Sequence, residues 1–336
     1  MIEIAIKLVY NVGIMFVMMV PGIIMKKCHL STELFGKGLS NLVLYVAQPA
    51  LVFLAYLRDF NTDILINIIW VLLFSILAHV VFAFAALHSF KNDPDGRRRM
   101  LRFCTVFSNA AFMGIPLIKE VLGGDATIYA SVYNITFNIF LWSLGVYFCT
   151  EDRDEDGDGV TDGDIATDYY ELQSKKSLKS SLKKALLHPI SLAAFVGLIF
   201  FFLPINNYVP GFVIDSLTKL ENLVIPLSMT VIGLRLVDID IKGIFKDASM
   251  YKFLAMRHVI LPVFIYCIIR VIALSGFIEP DVIKVVVIMA CAPAASSATM
   301  FAEMYDCDTA YVSKLVSVST VLSIFTMPFI VMLAFL

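Results

Sequence analysis

Charge is what this sequence has least of. Only 16% of its 336 residues are Asp, Glu, Lys or Arg, where a soluble domain keeps roughly a quarter charged to hold its surface in water. A buried core cannot absorb a deficit of that size, so an ordinary soluble domain is excluded. The net charge of −2 leaves no basic field, which excludes nucleic acid as a partner. Metal-ligand patterns are missing too. The six cysteines (Cys28, Cys104, Cys149, Cys267, Cys291, Cys307) form no CxxC pair, and the five histidines (His29, His79, His88, His188, His258) form no HExxH. Neither a metal nor a cofactor is therefore expected. The first apolar stretch, residues 4–25, has no small-residue cleavage site and reads as a retained span rather than a signal peptide.

What is present is hydrophobic length. Apolar residues make up 59% of the chain, and the mean hydropathy is +0.84. Crossing ~30 Å of hydrocarbon takes about 20 apolar residues. Windows of that size fall at residues 4–25, 38–57, 64–87, 101–121 and 127–148, then at 186–203, 217–236, 253–274, 282–302 and 311–336. The expected fold class is an all-α polytopic membrane protein of ten transmembrane helices. Five spans lie in residues 1–149, a polar linker in 150–184 and five more in 185–336. Lysine and arginine concentrate in cytoplasmic connections. About 20 of them, Arg97, Arg98, Arg99, Arg102, Lys252 and Arg257 included, fall on the linker side, against about 6 on the other. Both termini are thus expected outside the cytoplasm and the linker inside it.

Five spans per half has a geometric consequence: if the halves are related, the second inserts upside down relative to the first. That is the inverted repeat of many secondary transporters. Two spans in matching positions are interrupted. The fourth, FCTVFSNAAFMGIPLIKEVL, holds Asn109, Gly114 and Pro116; the ninth, VVVIMACAPAASSATMFAEM, holds Pro293, Ser296, Ser297 and Thr299. Proline removes a donor from a helix interior, and broken helix at membrane depth is tolerated only against protein or a wet cavity. Paired breaks in two halves point to a midplane binding site. After each break comes a polar turn and another span, with Asp125 and Asp308 in equivalent places.

Facing half-helix N-termini offer free N–H groups and about half a positive charge each, which suits a small organic anion without any lysine or arginine deep in a span. Asn109, Asn134, Asn138 and Gln48 can add neutral contacts, with Asn134 and Asn138 one helical turn apart on one face. Alternatively these amides join helix to helix. Glu303 and Lys119 are the candidate coupling residues, for protons or sodium; both lie toward span ends, where snorkelling to the interface is the alternative. In the linker, Asp154, Asp156, Asp158, Gly159 and Asp162 look like the front half of a calcium loop. The closing glutamate is missing, since Ile165 or Gly163 stands there, so no metal is assigned and the run reads as a solvated acidic stretch.

SNAAFMGIPLIKEV, HPISLAAFVGLIF, IPLSMTVIGLRL and APAASSATMFAEMYDCD resemble the auxin efflux carrier family, which includes plant PIN proteins and bacterial malate and malonate permeases. The resemblance covers nearly the whole chain. It implies two inverted five-helix repeats with spans four and nine crossing at their breaks, and export or exchange of organic anions by alternating access. By motif, Asn109, Pro116 and Pro293 fall at the crossover and Asn138 at an amide position of span five. The plant members' long loop and their span-two aspartate and lysine have no counterpart here, so a small carboxylate such as a dicarboxylate is expected rather than auxin, with an aromatic carboxylate as the alternative. The expected setting is the cell membrane, with the lipid bilayer as partner and a homodimer compatible with the fold. An intramembrane enzyme would need a nucleophile and base at one depth, and His79 has no such companion. A non-transporting sensor, with calcium at the linker as input, is the other competing reading.

Overall fold

A computed structural model describes residues 10–11, 13–150, 183, 186–203, 208–237, 247–274, 276, 278–305 and 307–335. The linker's acidic run, with its calcium-loop likeness, lies outside them. Among the described residues all regular structure is helical, apart from one isolated bridge taken up below.

Local chemistry sets the helix starts. α1 (Val20–Lys27) has Pro21 in its first turn, where a missing N–H costs nothing. Before α2 (Leu34–Tyr56), the Thr32 hydroxyl accepts from the backbone N–H of Phe35 at 3.2 Å. Before α3 (Thr62–Ser89), Asn61 accepts from Asp63 N–H at 2.7 Å. α4 (Asp95–Val106), α5 (Ile115–Leu122) and α6 (Gly124–Thr150) complete the first half. The second half holds α7 (Pro189–Phe202), α8 (Gly211–Leu236) and α9 (Ala248–Ala273), whose cap is Asp247, then α10 (Pro280–Cys291), α11 (Ala298–Met304) and α12 (Thr309–Ala334), capped by Asp308.

Six of these, α2, α3, α6, α8, α9 and α12, are long and apolar enough to cross a membrane. The other expected spans differ for identifiable reasons. α7 is a shorter apolar helix of 14 residues, the first span lies partly outside the described residues, and spans four and nine each come as two short helices (α4 and α5; α10 and α11).

The surface is inverted relative to a protein in water. On α3, Ile66, Ile69, Leu73, Ile76, Val80 and Phe84 form an exposed stripe at helical spacing, while Asn67, Ser75 and His79 are buried on the opposite face. An apolar stripe of that length suits lipid and not water. Several inward hydroxyls are satisfied within their own helices: buried Thr105, Thr136 and Thr320 and half-buried Thr230 each donate to the carbonyl four residues back.

The helices pack as two groups. α2 lies against α7 and α8, and α8 against α1. α3 packs on α4, α6 and α10, and α12 on α4, α9, α10 and α11. Contacts between the groups run through α6, which touches α2 and α7, and through α8, which touches the start of α5 and α12. Where α1 crosses α8 the backbones themselves meet. A Cβ on Gly22 would stand 2.1 Å from the Thr230 carbonyl oxygen, and one on Gly233 2.0 Å from that of Met19. Only glycine permits this approach.

Candidate functional site

The interruptions of spans four and nine meet and pair. α4 ends at Val106, and Phe107 turns extended, with φ −92° and ψ 119°. α10 ends at Cys291, and Ala292 turns extended likewise, with φ −59° and ψ 149°. Ser108 and Ala294 then face each other in an antiparallel bridge. Asn109 N–H donates to the Pro293 carbonyl at 2.7 Å, and Ala295 N–H to the Phe107 carbonyl at 2.9 Å. Each break thereby supplies backbone partners that the other lacks, which is the condition for irregular backbone at membrane depth.

Two side chains complete the crossing. Ser319 of α12 accepts from Ala294 N–H at 2.9 Å, and its hydroxyl stands 2.8 Å from His258 Nε2. His258 Nδ1 in turn lies 3.0 Å from Thr326 Oγ1, and Thr326 donates to the Leu322 carbonyl. The second side chain is Arg257. Its Nε and Nη2 donate to the Ala292 carbonyl at 3.1 and 2.7 Å. Its Nη1 donates to the carbonyls of Thr105 and Val106 at 3.1 and 3.3 Å.

Arg257 corrects the sequence reading. The charge pattern along the chain places it with the connecting loops and puts no cation deep in a span. It lies inside α9, 0% exposed, with Phe82 beneath its guanidinium. Arg99 and Arg102, which the same pattern assigns to loops, are buried in α4, donating to the carbonyls of Cys149 and Leu87. A charge count along the chain cannot see which arginines turn inward to collect carbonyls. The nearest sequence signal for Arg257 is its position, with His258, among apolar residues on both sides.

The proline and glycine of span four act differently from expectation. The chain breaks at Phe107–Asn109, upstream of Pro116, which sits in the first turn of α5. Between them Ala110–Gly114 forms a π-turn, in which Ile115 N–H bonds the Ala110 carbonyl five residues back. The next bond in that pattern would come from residue 116, and proline has no N–H to give. The Ala111 carbonyl receives Gln48 Nε2 from α2 instead. Gly114 is inside the turn and permits the approach of α10, since a Cβ there would lie 2.6 Å from Met289 Sδ. Pro293, by contrast, is at the break itself.

The amides group around this turn by element. Gln48 touches it directly, and α6, which carries Asn134 and Asn138, packs against it, as does α8 with Ser228. All are buried, and each keeps an atom without a hydrogen-bond partner among the described residues: Gln48 Oε1, Asn109 Nδ2, Asn134 Oδ1, Asn138 Nδ2, Ser108 Oγ and Ser228 Oγ. Ser108 and Ser228 were not among the expected contacts. Groups so placed cost free energy until a polar ligand or water meets them.

The remaining candidates have other partners or surroundings. Ser296 and Ser297 form the turn before α11, where Thr299 and Arg235 both donate to the Ser296 carbonyl. Glu303 is exposed near the end of α11. Lys119 is engaged in an ion pair with Glu221 of α8 and stands 3.5 Å from Asn222 Oδ1. His79 donates Nδ1–H to the Ser75 carbonyl at 2.7 Å inside a cage of Tyr133, Phe137 and Phe140.

The sequence pattern of the membrane transport protein family matches residues 8–331. An uncharacterized transporter of Methanocaldococcus jannaschii is 22% identical over 319 residues, 93% of this chain and 94% of the relative. Another, from Methanothermobacter thermautotrophicus, is 22% identical over 316 residues, 93% of each chain.

Proposed function

Because the chain belongs to the membrane transport protein family, we propose that it carries small organic anions, dicarboxylates such as malate, across the cell membrane by alternating access around the crossing of spans four and nine. The observation that carries this reading is the paired interruption, with Asn109 at the break and with buried Gln48, Asn134 and Asn138, each holding an unsatisfied atom, on helices that touch the adjoining turn. Amide N–H groups of Asn109 and Asn138 suit carboxylate oxygens, and Gln48 Oε1 and Asn134 Oδ1 suit a substrate hydroxyl. On this reading the architecture is two inverted five-helix repeats, 1–149 and 185–336, joined by a cytoplasmic linker with both termini outside. Asp125 and Asp308 support it, since each sits in the turn after its broken span and pairs with an arginine, Arg58 and Arg97 respectively.

Labelled malate uptake into proteoliposomes tests the proposal. Wild-type protein is expected to take up malate. Asn109→Ala is expected to cut uptake about tenfold or more while still inserting, because one lost buried amide costs about 1–3 kcal/mol. Wild type inert toward malate and other dicarboxylates overturns the substrate class; unchanged uptake by the variant overturns the site.

A further inference from the structure

Arg257 is bonded to the crossing backbone at both breaks, and nothing in the anion reading has yet used it. Its hydrogen-bond partners there are carbonyls: Ala292 at the end of α10, and Thr105 and Val106 at the end of α4. A helix C-terminus carries about half a negative charge. Two such ends meet at the crossing, each belonging to a helix of 12 residues. Left alone, they would bring about one negative charge to the crossing and oppose the positive N-termini of the half-helices that follow, weakening the pull on an anion. A guanidinium on those carbonyls offsets that charge. Its planar fork also reaches both ends at once, which an ammonium on a single stem cannot do with the same set of bonds.

We propose that Arg257 is a positioning residue of the anion site, clamping the two interrupted helices in register and cancelling the negative ends that would otherwise weaken the pull on an anion. The role rests on the carrier reading above and divides into two separable parts. Charge governs how tightly the anion binds; the fork governs how firmly the crossing backbone is held.

Full-length wild type, Arg257→Lys and Arg257→Gln in proteoliposomes, with labelled malate as probe, separate the two. Amide hydrogen exchange of the segments 105–110 and 291–297 reports the clamp, with α3 as the internal reference for folding. The Lys variant keeps the charge and loses the fork. Its malate KM is expected within about threefold of wild type, while exchange at both segments accelerates about tenfold. The Gln variant loses both, so its KM is expected to rise about tenfold or more on top of the faster exchange. A Gln variant with α3 protected and an unchanged KM overturns the charge role. A Lys variant with unchanged local exchange overturns the clamp. An arginine that merely stabilised the fold would move KM in step with exchange, leaving Lys as impaired as Gln, and that result also overturns the proposal. If Gln does not fold, the Lys variant decides by the same criteria. If wild type moves no malate, the dicarboxylate reading fails on its own, and the exchange comparison still decides whether Arg257 holds the crossing.

Discussion

Gly233 shows how little room a single position can leave. A Cβ there would stand 2.0 Å from the Met19 carbonyl oxygen and 3.2 Å from its Cα, and backbone cannot swing aside as a side-chain end does. Gly233→Ala must push α8 off α1, and overpacking of this kind costs about 1–3 kcal/mol. Gly36→Ala is the control, since its new Cβ would find only Leu234 Cδ1, at an ordinary 3.8 Å. Thermal unfolding in detergent should show a lower midpoint for Gly233→Ala and an unchanged one for Gly36→Ala. Equal midpoints for Gly233→Ala and wild type would mean that the two backbones do not meet in the membrane. Met289 offers the contrasting case at Gly114. The obstructing atom there is the flexible thioether, so the same substitution is far easier to accommodate.

At the scale of elements, the start of α5 joins three residues that are distant in sequence or in role. Pro116 withholds a donor from the π-turn, the Ala111 carbonyl goes without an intrahelical partner, and Gln48 of α2 supplies one. This yields a double-mutant cycle with a definite sign. In wild type, Gln48→Ala strands a half-buried carbonyl, at about 1 kcal/mol or somewhat more. In the Pro116→Ala background the backbone N–H gained at that position can serve the carbonyl, so Gln48→Ala should cost about 1 kcal/mol less. Denaturant unfolding of the four proteins measures it, and additive effects would show that Gln48 does not stand in for the missing N–H. The uninterrupted helices α3, α6, α9 and α12 are legible in the sequence because hydropathy alone sets them, and the family likeness is legible from four contiguous motifs. The position of the break is legible only in part: the family motif marks Asn109 and Pro293, which stand at it, and also Pro116, which does not. Pro116 draws attention, yet the chain opens at Phe107–Asn109, where the partners are the backbone of residues 293–295 and a guanidinium on α9. Local propensity carries no trace of bonds made across some 150 to 190 residues of chain. Arg257 is hidden for the same reason: its burial follows from what it bonds, and a positive charge near a span end reads as a loop cation.

For the whole molecule, what matters is how the two helix groups are tied at their edges. On the side where α5 ends, Lys119 pairs with Glu221, Arg58 with Asp125 at 3.0 Å, and Asn11 Nδ2 donates to the Glu120 carbonyl at 3.2 Å. On the side of the turn before α11, Arg235 donates to the Ser296 carbonyl. The ties are unequal in worth. Both side chains of the Lys119–Glu221 pair are only 17% exposed, whereas Asp125 is 94% exposed and its bridge is open to water and salt. If alternating access moves one group against the other, Lys119–Glu221 is the tie whose loss should favour the opening of that side. The buried Ser228 of α8, changed to cysteine in a background without the native cysteines, serves as reporter through its rate of reaction with a water-soluble thiol reagent. Lys119→Met is expected to raise that rate about three- to fivefold, the shift that roughly 1 kcal/mol produces in a two-state population. Arg58→Met should leave it unchanged. The double exchange, Lys119→Glu with Glu221→Lys, rebuilds the attraction in reverse and should return the rate to its starting value. A double exchange as reactive as Lys119→Met would assign the effect to lost packing of the lysine stem, and the pair would then be a contact and not a latch.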